Sequence, residues 1–170
     1  MKSGMIRRVD SLGRIVIPKE IRKVLKIKEN EQVEINVLEK EIILSKYSEF
    51  SDYDLSLKKL VDLISDIYKI DILITDLSNI KITSKNYMYL ENKELSLKLL
   101  SVIENREDIK ELEKSKIRIC NDCEDLESSY IIKNIIINGD CLGLIVFLTD
   151  YEMDLKVIEL VSTYLEKYLE

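Results

Sequence analysis

A tight turn and a helix start lie only a few residues apart near the beginning of this sequence, and this spacing constrains the fold most strongly. Two runs typical of β-strands, Met5–Val9 and Arg14–Ile17, flank a turn that contains Gly13. Pro18 follows at once, and proline is tolerated in the first helical turn because its missing N–H would be unpaired there anyway. We therefore predict two strands and then a helix over Lys19–Leu25.

The sequence up to about Tyr47 continues with two more predicted strands. Val33 to Val37 alternates apolar and polar side chains with a period of two, and Glu41–Leu44 follows a short turn. A module of strand, strand, helix, strand and strand in 47 residues is too small to bury an adequate core without a metal, disulfides or a partner. Because the sequence offers neither a metal site nor a disulfide framework, we predict an obligate dimer.

The charge of the chain is divided between its two parts. Residues 1–28 contain nine basic and two acidic side chains, whereas residues 51–170 contain 15 basic and 24 acidic side chains. The local balance of +7 is hidden by the net charge of −6 for the whole chain. A division of this kind indicates a basic binding module fused to an acidic one.

The order of residues in the basic module resembles the DNA-binding domain of the AbrB/SpoVT family. The matching segments are Ser3–Asp10, Leu12–Pro18, Glu20–Lys23, Val33–Ile35 and Ile42–Tyr47. The resemblance implies an all-β-dominated swapped-hairpin barrel, in which two protomers exchange hairpins and a basic face binds double-stranded DNA. Carried over by position, the DNA-binding side chains are those of Arg7, Arg14, Arg22 and Lys23, with Arg8 and Lys19 assisting.

The remainder of the chain is predicted to form a second domain. We place the first domain at residues 1–47, a polar linker at 48–54 and the second domain at 55–170. Its predicted elements are a helix over Asp54–Lys69, strands over Asp71–Asp76 and Ile80–Thr83, helices over Lys93–Asn105 and Asp108–Lys114, a short strand over Lys116–Ile119, strands over Ser129–Ile137 and Asp140–Leu148, and an amphipathic helix from Leu155 to Leu169. The Asn138-Gly139 pair between the last two strands is a strong hairpin signal.

This order of elements is an α+β layout with an antiparallel sheet. It resembles a GAF domain, most clearly in the hairpin over 129–146. The resemblance implies association through the first and last helices, which would couple two barrel dimers into a tetramer. It also implies a small-molecule pocket, for which Tyr87, Tyr89 and Tyr130 are candidate lining residues and the ligand is unidentified.

Several functions are disfavoured by what the sequence lacks. There is no histidine, so catalysis by Ser-His or Cys-His pairs and histidine-ligated metals are excluded, and we expect no enzyme, cofactor or metal. Cys120 and Cys123 form a lone C-x-x-C, which we interpret as ordinary loop cysteines, although metal or redox sensing stays open. No signal peptide or membrane span is predicted, which favours the cytoplasm.

Two functions remain for the basic module. The family resemblance implies a transcription regulator of sporulation that is associated with the nucleoid of the forespore. The alternative is an antitoxin-like interaction protein, because the same swapped-hairpin domain occurs in toxin–antitoxin systems. Such proteins usually carry a short disordered acidic tail, whereas this chain continues with a full second domain.

Overall fold

The computed structural model describes residues 5–25, 27, 29, 33–46 and 54–170. It divides the chain into two compact units, Met1–Tyr47 and Ser48–Glu170, which are described here one at a time. The predicted linker over residues 48–54 falls outside the described residues except for its last position.

The first unit contains one short helix and one hairpin. Helix α1 spans Lys19–Val24 and begins directly after Pro18, in agreement with the prediction. Strands β1 (Val33–Leu38) and β2 (Glu41–Lys46) pair antiparallel through a tight turn. Glu39 has a φ of 54° in this turn, a left-handed conformation that closes the hairpin in two residues.

The two predicted strands that precede the helix are not formed in the single chain. Met5–Val9 and Arg14–Ile17 flank a turn, as expected, but neither segment is paired in a sheet. A strand exists only where its backbone N–H and C=O groups meet a neighbouring strand. The described residues of one chain supply no such neighbour, so the prediction of two strands is wrong for the isolated chain.

The second unit is built on a five-stranded antiparallel sheet with the order β4-β3-β7-β6-β5. Its helices lie on both faces of the sheet. The elements in chain order are α2 (Asp54–Tyr68), β3 (Asp71–Thr75), β4 (Ile80–Thr83), a 3₁₀ helix (Lys85–Leu90), α3 (Leu97–Asn105), β5 (Ile109–Ile117), β6 (Leu126–Ile137), β7 (Asp140–Thr149) and α4 (Leu155–Leu169).

The side chains of β3 point alternately to the two faces of the sheet, and they contribute to two separate apolar clusters. Ile72 and Ile74 point to the face that is covered by α2 and α4, whereas Leu73 points to the face that is covered by the 3₁₀ helix and α3. All three side chains are fully buried, which explains why this strand reads as a continuous apolar run. The antiparallel hairpin of β6 and β7 closes through Asn138 and Gly139, both with positive φ, as predicted.

One predicted helix of the second unit is wrong. Residues 108–114 were expected to be helical, whereas Ile109–Ile117 is the outer strand β5 and pairs with β6. Glu and Lys dominate this segment and favour helices by propensity. Pairing with β6 overrides that preference, and the charged side chains protect an exposed sheet edge.

Helix α3 begins at Leu97, four residues later than predicted. Glu94 and Leu95 form isolated bridges to Asn79 and Cys120, which keeps them extended. Ser96 then caps the helix by accepting a hydrogen bond at Oγ from the Leu99 backbone N–H. Among the helices of the described residues, none combines the length and the apolar character needed to span a bilayer.

Candidate nucleic-acid interface

A turn in the first unit holds the side chain of Arg14 against Asp10. The backbone N–H of Gly13 donates to the Asp10 carbonyl at 3.0 Å, which closes the turn. Asp10 Oδ1 accepts hydrogen bonds from the backbone N–H groups of Leu12 and Arg14, both at 2.9 Å. Asp10 Oδ2 accepts from Arg14 Nε at 2.8 Å, so one carboxylate orients both the backbone and the side chain of the arginine.

The charge of Asp10 is stabilised by this geometry. Hydrogen bonds from the Arg14 backbone and then from its side chain lower the pKa of the Asp10 carboxyl below its usual value. The Arg14 side chain nevertheless stays 72% exposed. Its terminal nitrogens therefore remain available to an external anion while Nε is held in place.

The other predicted DNA-binding side chains fall into two groups. Arg7, Arg8, Lys19 and Lys23 are exposed, as a phosphate contact requires. Arg22 is partly buried, and its Nε has no hydrogen-bond partner among the described residues. The clustering of these groups on one face remains a prediction.

Asp10 is a functional candidate that the motif contains but that was not singled out as a site residue. Asp at the first position of a β-turn and Gly at the fourth are the typical signature of this turn type. Asp10 and Gly13 occupy those positions. The turn signal is therefore present in the sequence, but the hydrogen bond that Arg14 Nε donates to the carboxylate depends on a side-chain conformation that spacing alone does not define.

The first unit leaves most of its apolar side chains uncovered. Among its described residues only Pro18 is buried, and Ile6 is 93% exposed. The exposed large apolar residues of this unit are Met5, Ile6, Val9, Leu12, Ile15, Val16, Val24, Leu25, Ile35, Val37, Leu38, Ile42 and Ile43. A patch of this extent marks an interaction surface or an incomplete core.

The three candidate pocket tyrosines lie in different places in the second unit. Tyr87 lines a cavity of about 370 Å³, and Tyr89 lines another of about 300 Å³. Tyr130 is only 4% exposed and belongs to the apolar cluster under α3. Its hydroxyl accepts a hydrogen bond from Lys98 Nζ at 2.6 Å, so its polar atom is already satisfied.

The cavity beside Tyr87 is polar and well ordered. Asp71 accepts hydrogen bonds from Ser65 Oγ at 2.7 Å, from Ser84 Oγ at 2.6 Å and from Asn86 Nδ2 at 3.1 Å. Burial, aided by the negative charge of Asp71, raises the pKa of Tyr87 to about 12. This network ties the end of α2 to the start of β3 and to the 3₁₀ helix.

The C-x-x-C cysteines are not free, contrary to their interpretation as ordinary loop cysteines. Cys120 and Cys123 are joined by a disulfide with a Cα–Cα distance of 5.3 Å, while Cys141 is a free thiol. The physical reason is the tight turn in which Cys123 N–H donates to the Cys120 carbonyl at 3.4 Å, which brings the two sulfurs together. In the described part of the chain, no group of three or more possible ligands is arranged to hold a metal ion.

Helices α2 and α4 each expose apolar residues on the side turned away from the sheet. On α2 they include Leu63 and Ile67, and on α4 they include Leu160 and Tyr164. Both helices also bury a first apolar stripe against the sheet. A helix that is apolar on two sides is typical of an element with a second packing partner.

The second unit defines a GAF-type fold. A solved structure described as the cofactor binding GAF domain of the nutrient sensor CodY from Clostridium difficile matches with a TM-score of 0.50. The match covers 72% of this chain and 88% of that chain at 13% sequence identity. At this identity the likeness concerns the fold alone, and it confirms the predicted α+β domain with an antiparallel sheet.

Sequence comparison then assigns the whole chain. The family described as stage V sporulation protein T C-terminal, transcription factor, matches residues 52–170. The chain is 32% identical to stage V sporulation protein T of Bacillus subtilis (strain 168) over 174 aligned positions, covering 99% of this chain and 98% of the relative. The chain therefore belongs to the stage V sporulation protein T family of transcription factors.

The first unit has its own relatives. The family described as antidote-toxin recognition MazE, bacterial antitoxin, matches residues 6–52. The transition state regulatory protein AbrB of Bacillus subtilis (strain 168) is 54% identical over 48 residues, which are 28% of this chain and 50% of that protein. These similarities confirm the predicted AbrB-type first domain and the two-domain architecture.

Proposed function

We propose that this chain regulates forespore gene expression by binding double-stranded DNA through the basic side chains of its first unit. The proposed contacts are Arg7, Arg8, Arg14, Lys19, Arg22 and Lys23. The regulator works in the cytoplasm, at the nucleoid, and carries out no catalysis. Most of the binding free energy comes from neutralised phosphates, and specificity comes from the shape of the groove and a few base contacts by arginine.

The observation that carries this proposal is the exposed, oriented guanidinium of Arg14 in a module with a local charge balance of +7. An arginine that is held at Nε loses less conformational freedom when its terminal nitrogens bind an anion. The acidic second part of the chain makes this module the region that attracts a polyanion.

The binding form we propose is a domain-swapped dimer. The uncovered apolar side chains of the first unit and the unpaired segments Met5–Val9 and Arg14–Ile17 support it. A second copy would supply the missing strand partners and cover the apolar surface at the same time. The barrel would then present two sets of arginines to one duplex.

The second unit is proposed to couple two such dimers into a tetramer. The exposed apolar residues Leu63 and Ile67 on α2, and Leu160 and Tyr164 on α4, support association between helices of different chains. Coupling raises the effective concentration of one DNA-binding dimer once the other has bound. We also propose that the second unit responds to a small-molecule ligand, for which the polar cavity beside Tyr87 is the candidate site.

Selection of bound duplexes from a random DNA pool tests the proposal. The wild-type protein is expected to enrich a defined set of sequences, and Arg14→Ala is expected to lose most of that enrichment. Lys110→Ala is the matched control, because it removes one positive charge from an exposed position of the second unit. Equal enrichment by the wild type and Arg14→Ala would overturn the proposed interface.

An antitoxin-like function is the second candidate, and the MazE match over residues 6–52 favours it. The ordered second unit, with its complete sheet and capped helices, argues against it. Affinity purification from the host separates the two candidates. Stoichiometric recovery of a partner toxin with the full chain would support the antitoxin function, and recovery of DNA alone would support the regulator.

A further inference from the structure

The loop between β5 and β6 is closed by two nested contacts. The outer one is an ion pair between Arg118 Nε and Asp125 Oδ1 at 2.7 Å. The inner one is the disulfide between Cys120 and Cys123, whose Cα atoms are 5.3 Å apart, within the usual separation for such a bond. The ion pair therefore spans the same loop on the outer side of the disulfide.

The first half of this loop is bonded to the segment that leads into α3. Ser96 N–H donates to the Ile119 carbonyl at 3.0 Å, and Ser96 Oγ donates to the Arg118 carbonyl at 2.6 Å. Asn121 N–H donates to the Glu94 carbonyl at 3.3 Å. Since Ser96 also caps α3, this loop is hydrogen-bonded directly to the start of that helix.

The two sulfurs have different surroundings. Cys120 is only 1% exposed and is fixed by its bridge to Leu95. Cys123 is half-buried and lies at the cavity of about 300 Å³ that Tyr89 also lines. Lys93 Nζ is 3.8 Å from Cys123 Sγ, so an ammonium group faces the more accessible sulfur.

A nearby cation stabilises a thiolate, and a thiolate is both the attacking and the leaving species in thiol–disulfide exchange. The carboxylates of Asp122, Glu124 and Asp125 in the same loop act in the opposite direction. Lys93 Nζ lies at hydrogen-bond range from Cys123 Sγ and favours a thiolate at that sulfur.

We propose that Cys120 and Cys123 form a thiol–disulfide exchange site whose reaction partner is a dithiol. The redox state of this site controls how stably the loop is hydrogen-bonded to the segment at the start of α3. A thiolate of the dithiol attacks Cys123 Sγ, forms a mixed disulfide and displaces the Cys120 sulfur, which takes up a proton. The second thiol of the reagent then attacks the reagent sulfur of the mixed disulfide, and the Cys123 thiolate is released beside Lys93. Once the Cys123 thiolate has also taken up a proton, the protein has gained two electrons and two protons, and the dithiol has become a disulfide.

The oxidised and reduced loops differ in one covalent link, so their difference should be local. In the oxidised form the link holds residues 120–123 against the Glu94 and Ser96 backbone contacts. In the reduced form those hydrogen bonds remain, but they open more often because the loop has regained freedom. Through this loop, the redox state of the surroundings would reach the second unit independently of whether the first unit binds DNA.

Alkylation of the full chain followed by mass spectrometry tests the site. The background variant Cys141→Ser removes the third thiol and keeps a hydrogen-bond donor for the Asn134 and Gly143 oxygens. After treatment with oxidised glutathione, the proposal predicts no alkylated cysteine. After dithiothreitol it predicts two, with Cys123 alkylated before Cys120.

Two further readouts separate a redox site from a merely structural crosslink. Lys93→Gln should slow the alkylation of reduced Cys123 by up to about tenfold, because the ammonium group no longer stabilises the thiolate, whereas Lys110→Gln should not. The Ser96 and Asn121 amides should exchange hydrogen faster in the reduced form, and Cys120→Ser should remove this redox dependence. Two alkylated cysteines in the oxidised sample, a disulfide between chains, or an unchanged rate in Lys93→Gln would overturn the proposal.

Discussion

Asp10 holds Arg14 at two points, since Oδ1 accepts the Arg14 backbone N–H at 2.9 Å and Oδ2 accepts its Nε at 2.8 Å. The acidic residue in the middle of a basic module thus orients the arginine rather than simply cancelling its charge. A DNA-binding arginine contributes both a charge and an orientation. Because Asp10 fixes the orientation of Arg14, a substitution of Asp10 can test the two contributions separately.

Asp10→Asn should weaken specificity while strengthening binding to any duplex. The asparagine Oδ1 can still accept from Leu12 and Arg14, but its amide nitrogen cannot accept from Arg14 Nε, and the module loses one negative charge. Fluorescence anisotropy should show tighter binding to scrambled DNA and a specificity ratio that is lower by about tenfold, the value of a lost contact of about 1.4 kcal/mol.

Glu107→Gln makes the same charge change at an exposed position of the second unit and serves as the control. It should leave the specificity ratio unchanged. If Asp10→Asn alters only nonspecific binding, to the same extent as the control, then orientation of Arg14 by Asp10 plays no part in recognition.

The stability of the second unit should fall between about pH 10 and pH 12 because of Tyr87. Burial raises the pKa of this side chain to about 12 in the folded protein from 10.0 for the free group. In this pH range the unfolded chain loses the proton while the folded chain retains it, so the free energy of unfolding falls as the pH rises. Urea titrations should show a smaller loss for Tyr87→Phe than for the wild type, and equal losses would show that another group is responsible.

Gly143→Ala should destabilise the second unit strongly. A Cβ at this position would lie 1.9 Å from the Thr75 carbonyl oxygen, and a backbone atom in the middle of a sheet cannot move aside easily. We expect a loss of about 3 kcal/mol in the free energy of unfolding, at the upper end for overpacking.

Gly139→Ala is the matched control for this prediction. Gly139 has a φ of +87° and open space around it, so the substitution meets only the cost of a left-handed conformation, about 1 kcal/mol. Denaturant titration of both variants measures the difference. Equal losses would mean that β7 and β3 do not approach each other as closely as described.

Leu160→Glu should convert a tetramer into a dimer without unfolding the second unit. Leu160 is exposed on α4 next to the apolar side chain of Tyr164, and a buried carboxylate there would oppose association between chains. Sedimentation velocity of the full chain measures the result, with Leu112→Glu as the control at another exposed leucine, on β5. A wild-type chain that sediments as a dimer would contradict the proposed role of the outer helix faces.

The parts of the fold that the sequence predicted best are those determined by residues close together along the chain. Asn138 and Gly139 specify a turn by their own φ preference, and the hairpin of β6 and β7 followed from them. The helix α4 followed from its period of apolar residues, beginning at Leu155. These signals do not depend on distant partners.

The parts that were missed depend on distant partners. Ile109–Ile117 became a strand because β6 lies beside it, against its own helix-favouring composition. Met5–Val9 carries a strand pattern but has no partner strand among the described residues of one chain. For the candidate interface, residue types were predictable from charge, whereas the hydrogen bond from Arg14 Nε to Asp10 required the folded turn.

The salt dependence of DNA binding by full-length wild type and Arg14→Ala tests the central claim most directly. If a dimer neutralises on the order of 6 phosphates, the logarithm of the binding constant should fall with the logarithm of salt concentration at a slope of about −5. Removing Arg14 from both protomers should make the slope shallower by about 2 and weaken binding, while Lys110→Ala leaves both values unchanged. Identical slopes and affinities for the wild type and Arg14→Ala would contradict a DNA interface built on Arg14.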